Sequence, residues 1–275
     1  MTETNLIEKE VEAEKNEKVD KAVVAQLEEL TAEEVANLPM LQEMIKAGVI
    51  YGRKKSKMNP KMKPYIYTFR AGVALFDLLK TLEGIEKAAA FLKEKMDTGG
   101  KVLFVATQPS AKDLAKKLAE DLGQFYVVER WLGGMLTNYK TISSRIERFK
   151  TLKAGRAANK FDKHTKKERL LIDREIARLE RYLESLSGMA KLPAAVVVID
   201  PQQEMIVVRE ARQMKIPVIA LIGSDCDIAG ITYPVVANDA SIQSIKFFTE
   251  QLAEAYSAGQ KLAQVAAPAA VSATV

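Results

Sequence analysis

The sequence predicts an α/β protein: a parallel sheet covered by helices on both faces, with an antiparallel helical hairpin inserted into it. Three observations lead there. The apolar runs at 101–107, 194–200 and 218–222 are continuous rather than alternating, as in strands buried on both faces. Helical patterns separate them, which is the rhythm of strand–helix–strand crossovers. From 138 to 186 the strand signal stops, and two helical patterns follow one another.

Taken in order, Pro39 suits a first helical turn, and Met40, Leu41, Met44 and Ile45 give that helix one apolar face. Gly48 stops it. Residues 65–69 and 73–76 read as short strands. A helix over 78–96 ends at Gly99 and Gly100. The strand at 101–107 leads into a turn, and Ser110 with Asp113 reads as a capping box opening a helix over 111–122. Beyond the hairpin come the strand at 194–200, a helix over 204–214, the strand at 218–222 and a last helix over about 240–256.

In the hairpin, Ile172, Ile176, Leu179, Leu183 and Leu186 are spaced four and three alternately, and Ile142, Ile146, Phe149 and Leu152 lie at similar spacing. The two stripes are expected to pair with each other, turning between 154 and 163 at Gly155 and Asn159. Basic residues crowd its surface, but Glu147, Glu168, Asp173, Glu175, Glu180 and Glu184 are there to pair with them at i,i+4. The organisation is then an acidic tail over 1–37, an α/β body over 38–137 and 187–258, the hairpin over 138–186, and a disordered Ala-rich tail over 259–275.

The net charge of +5 hides an asymmetry. Residues 1–37 hold four lysines against eleven acidic residues, a net −7, so the remainder carries +12. A tail of that charge is expected to shield a basic body before it meets a polyanion. Cys226 and His164 are the only residues of their kinds, so zinc sites and Ser-His-Asp or Cys-His catalysis draw on residues the chain barely has. No cofactor or metal is expected. The lone cysteine fits a reducing compartment. No apolar run is long enough to cross a membrane, and the acidic start does not read as a targeting signal.

The strongest functional signal is the stretch 46–76, which contains no acidic residue. Lys46, Arg53, Lys54, Lys55, Lys57, Lys61, Lys63 and Arg70 lie in it, threaded with Tyr51, Tyr65, Tyr67 and Phe69. One sign of charge interleaved with aromatic rings suits a nucleic acid. With no local acid to compensate these cations, polyanion binding is favoured over a solvated face. The segment Arg130-Trp-Leu-Gly-Gly-Met-Leu-Thr-Asn138 is the second candidate. Its glycines permit close backbone approach, and Arg130, Thr137 and Asn138 can donate to phosphate. The plain alternative is a buried Trp131 beside a tight turn.

The loops after Thr107, Asp200 and Ile222 fall at strand carboxyl ends, where α/β proteins place ligands, yet no phosphate-cradling glycine pattern occurs there. Asp225, Cys226 and Asp227 read as a plain turn rather than a metal or nucleophile site, and Asp200-Pro201 as a strand-ending turn. His164 reads as a solvated surface residue. An α/β enzyme acting on a phosphorylated small molecule is the rival reading, since fold alone does not exclude it. A protein-docking scaffold built on the hairpin is a third.

Several motifs resemble a known family. Met58-Asn-Pro-Lys-Met-Lys-Pro-Tyr65, the 130–138 segment, Val208-Arg-Glu-Ala-Arg212, Ile216-Pro-Val218, Asp225-Cys-Asp227, Tyr233-Pro and Asn238-Asp239 are similar, in order and spacing, to the bacterial form of ribosomal protein S2 of the small subunit. The resemblance covers about 40–256. It implies a flavodoxin-like sheet with a protruding hairpin and a structural, non-catalytic role. It also implies a cytoplasmic, ribosomal setting, with 16S ribosomal RNA, neighbouring small-subunit proteins and ribosomal protein S1 as partners. The implied RNA-facing role falls on Asn59, Lys61, Lys63, Arg130, Trp131 and Asn138; charge extends it to Arg53, Lys54, Lys55 and Lys57. Where bacterial members often read Gly-Val-His-Phe-Gly-His, this chain reads Gly48-Val-Ile-Tyr-Gly-Arg53. Metal binding through those histidines does not carry over, and Arg53 adds a permanent charge instead.

Overall fold

The computed structural model describes residues 38–266 apart from Asp162, His164 and Ala190. The expectations for the 1–37 tail and for His164 lie outside these residues. The chain divides into two compact units after Glu43, and of the first unit only the opening of helix α1 (Leu38–Lys46) is described. The remaining description concerns residue 44 onward.

A five-stranded parallel sheet forms the centre, from β4 (Val102–Val105), β5 (Phe125–Val127), β6 (Ala195–Ile199), β7 (Val218–Ile222) and β8 (Tyr233–Val236). Their spatial order is β5-β4-β6-β7-β8, all parallel. Numbered within the sheet this is 2-1-3-4-5, the flavodoxin-like order. Every residue of β4, β6 and β7 is buried, as continuous apolar strands require. Strand side chains alternate between faces. Leu103, Val105, Val196, Val198, Val218, Ala220 and Ile222 join one core cluster with Val207, Val208 and Ala211 of α6 (Met205–Gln213) and with the base of the hairpin. Helix α2 (Leu78–Asp97) and α3 (Pro109–Asp121) pack with α7 (Ile242–Ala266).

Three strands are not read from the sequence, for physical reasons. The edge strand β5 has three residues and only Val127 is buried. The other edge strand, β8, contains Pro234, whose missing N–H is tolerated at an edge. The third is β1 (Tyr51–Lys54), a Gly-containing, half-exposed strand. It belongs to a separate three-stranded antiparallel ribbon, ordered β1-β3-β2, with β2 (Ile66–Arg70) and β3 (Val73–Phe76). The short strands expected at 65–69 and 73–76 are therefore present, and they pair with each other rather than with the expected parallel sheet.

Two helix ends also differ. The capping box expected at Ser110 and Asp113 does not form. The helix starts earlier, at Pro109, whose fixed φ suits a first turn, and the buried Ser110 hydroxyl has no partner. Helix α7 continues to Ala266, past Gly259 where a disordered tail was expected to begin.

The hairpin consists of α4 (Tyr139–Ala157) and α5 (Lys166–Leu183). Ile142, Ile146, Phe149, Leu183 and Leu186 are buried in it or at its base. Gly155 sits inside α4 rather than in the turn, and a Cβ there would lie 2.9 Å from the Phe161 ring. A reciprocal capping box, Thr165 with Glu168, opens α5. Arg148–Glu175, Lys153–Glu180 and Arg156–Asp173 join one helix to the other rather than neighbours on a single helix.

Candidate nucleic-acid interface

The ribbon carries the acid-free run. Its β2–β3 connection is a two-residue turn, Ala71 and Gly72, both with positive φ (47° and 77°), the geometry that matches strand twist in tight hairpins. After β1 the chain forms two short 3-10 turns, Lys55–Lys57 and Pro60–Tyr65. Asn59 fastens them. Its backbone N–H donates to Ser224 O (2.9 Å), and its side-chain oxygen accepts from Lys61 N (3.0 Å). Met62 plugs into the core with no exposure. The lysines on either side are thereby held outward on a rigid support.

The cations of this run divide into two kinds. Lys54, Lys55, Lys57 and Lys63 are exposed, and among the described residues no carboxylate lies within ion-pair reach of them. Lys54 and Lys57 line an open cleft of about 390 Å³ beside Arg53 and Asn238. Arg53 and Lys61 differ. Lys61 Nζ meets Asp227 at 3.0 Å, and Arg53 reaches Asp225 (Nε, 2.9 Å) and Asp239 (Nη2, 3.2 Å). The expectation that this run lacks compensating acid therefore holds for the local sequence and fails for these two residues. Their acids come from the carboxyl ends of β7 and β8, 166 and 186 residues away in the chain.

Arg53 thus fills the end of the parallel sheet where a ligand was considered. Asp200, Asp225 and Asp239 converge there, and Gly223 leaves no room beside them, since a Cβ would lie 2.5 Å from Asp239 Oδ2. Burial pushes the Asp239 carboxyl up to about 6, and repulsion from Asp200 adds to this while Arg53 opposes it. Asp200 is likewise raised, mainly by burial. Neighbouring Cys226 is buried, and burial together with the surrounding aspartates pushes its thiol up to about 12. A thiol held neutral is a poor nucleophile, in keeping with the turn read there.

The second candidate segment joins β5 to α4. Arg130 and Asn138 are exposed, and Trp131 is buried at 6% exposure. One carboxylate organises the loop: Glu210 of α6. Its Oε1 accepts from Trp131 Nε1 (3.1 Å) and Gly134 N (2.8 Å), and its Oε2 from Leu136 N (3.1 Å), Thr137 N (3.2 Å) and Thr137 Oγ1 (3.2 Å). Burial pushes this carboxyl up, but the converging donors outweigh it and hold it below the usual range. Gly134, with φ of +90°, lets the chain wrap the carboxylate. The donors read as phosphate ligands in the sequence are thus spent inside the protein at Thr137. Trp131 offers no ring to a partner. Asn138 accepts from Thr141 Oγ1 (2.9 Å) through its side chain.

The motifs that build these two loops lie within one family match. Residues 44–259 match the family model described as ribosomal protein S2. The chain belongs to the ribosomal protein S2 family. Membership makes it a small-subunit ribosomal protein, a ribosome-associated ribonucleoprotein component of translation in a structural, non-enzymatic class. No helix among the described residues is long and apolar enough to cross a membrane.

Within this S2 chain, the structure gathers Arg53, Lys54, Lys55, Lys57, Asn59, Lys61 and Lys63 on the ribbon and its following turns. Arg130, Trp131 and Asn138 stand on the other loop, which shares the core cluster of Met62 through Trp131. Sequence reasoning missed Glu210 and the partners of Arg53. Glu210 lies inside the quoted Val208–Arg212 motif, but nothing local marks an acid on an amphipathic helix as buried.

Proposed function

We propose that this protein is a structural component of the bacterial small ribosomal subunit in the cytoplasm, binding 16S ribosomal RNA chiefly through the ribbon. The observation that carries this reading is the set of exposed lysines, Lys54, Lys55, Lys57 and Lys63, fixed to the sheet by Asn59, Met62 and Arg53. Such charges neutralise phosphates and release counterions, and a rigid support sets their register with RNA shape. Arg130 and Asn138 add exposed polar groups from the second loop. Trp131 and Asn59 act by shaping the surface, Lys61 with part of its charge taken by Asp227, and Arg53 as the anchor. Neighbouring small-subunit proteins, ribosomal protein S1 among them, are the further partners of this reading.

The rival, an enzyme acting on a phosphorylated small molecule, would use the carboxyl end of the sheet. Here that end holds three aspartates and the arginine that pairs with two of them. Such a site repels phosphate, so the RNA-binding reading is favoured. Two measurements test it. In gradient fractionation of a native lysate the protein should migrate with small subunits. Replacing Lys54, Lys55 and Lys57 by Gln should lower the salt slope of RNA binding by up to about one unit for each lysine replaced. A free soluble pool without RNA, or an unchanged slope, sinks the proposal.

A further inference from the structure

Tyr67 and Phe69 are exposed in a way the fold does not need. Six large hydrophobic side chains are exposed among the described residues, and only these two are aromatic. They stand two apart on β2, 49% and 39% exposed, while Ile66 on the same strand packs against the core. Single exposed apolar residues need no explanation, but two rings on one short strand, inside an acid-free run, form a patch. A cation borders it. The Lys55 ammonium lies 5.2 Å from the centroid of the Phe69 ring. Lys54 and Arg70 both sit opposite Val73, whereas Phe69 sits opposite Ala74, so those two cations belong to the other face of the ribbon and Lys55 is the one beside the rings.

Residues two apart on a strand are about 7 Å apart, which is close to the spacing of neighbouring bases in an extended single strand. Rings at that spacing, bordered by the Lys55 ammonium, fit a strand of RNA whose bases are turned outward. An RNA helix keeps its bases stacked inside and presents no free base faces to them. We propose that Tyr67 and Phe69 form a stacking platform for two unpaired RNA bases, with Lys55 holding the phosphate between them. This rests on the RNA-binding reading above and specifies which part of the RNA the ribbon takes: a single-stranded segment rather than a helix.

The test uses the full chain, with a labelled short oligouridylate and an RNA duplex of the same length as probes. Tyr67→Ala with Phe69→Ala should weaken oligouridylate binding by about tenfold or more. Duplex binding and the salt slope should stay as in the wild type. Exchanging the rings, Tyr67→Phe with Phe69→Tyr, should retain binding. An equal unfolding midpoint shows that the double alanine variant is folded, as expected for side chains outside the core. The platform is overturned if the alanine variant binds oligouridylate like the wild type, or if it weakens both probes equally. Failure of the underlying RNA reading looks different: the wild type binds neither probe, or the lysine variants leave the salt slope untouched.

Discussion

Glu210→Ala offers the sharpest test of how the 130–138 loop is held. The substitution removes the acceptor of five hydrogen bonds. Four N–H donors are left facing the gap: the Trp131 indole and the amides of Gly134, Leu136 and Thr137. A buried donor without an acceptor costs about 1–3 kcal/mol, and water entering the vacated space relieves part of that, so a loss of about 4–6 kcal/mol is expected. Glu210→Gln keeps the volume but turns an NH₂ toward two of the donors, for about 2–3 kcal/mol. Urea unfolding followed by the emission of Trp131, the only tryptophan, reads the loop directly. Acid provides a second axis. The folded carboxyl lies below its ordinary 4.5, so its contribution is fully present above that pH and fades as pH falls through the lower folded value. The Gln variant should lack this acid limb. If Glu210→Ala unfolds within about 1 kcal/mol of the wild type, the carboxylate does not organise the loop.

Other predictions concern the anchor and the hairpin. Asp239 is raised to about 6 from an ordinary 3.8, so between those values the folded form holds a proton the unfolded form lacks, and stability falls as pH rises through that window. Arg53→Gln removes the charge opposing this. Its melting-temperature deficit against the wild type should be larger at pH well above that window than within it, and equal deficits would refute the reasoning. Thr165→Ala breaks the capping box of α5 and should cost about 1 kcal/mol, read as faster amide exchange in the first turn of α5. Unchanged exchange there would show that the cap does not hold the helix start.

Much of the architecture was legible because it depends on local apolar runs. The strand at 218–222 and the two hairpin helices needed only hydrophobic periodicity. Edge strands were not legible, since β5 and β8 are short and half-buried, and β1 has a glycine and charges where apolar residues would signal a strand. The candidate site was legible as charge but not as pairing. Lys54, Lys55 and Lys57 are exposed, as a one-sign run suggests. Trp131 could be read either way, because a buried indole and a stacking indole look alike until the acceptor of its N–H is known.

By itself the sequence determined the class of sheet, the inserted hairpin, the family motifs and the concentration of positive charge in 46–76. Only the tertiary structure decided which of those charges remain available to a partner. Arg53 and Lys61 are neutralised by aspartates that the parallel sheet delivers from far along the chain, and Glu210 takes up donors from a loop more than seventy residues earlier. Electrostatic pairing depends on distance in space, and sequence separation carries no information about that distance until the strands have closed into a sheet.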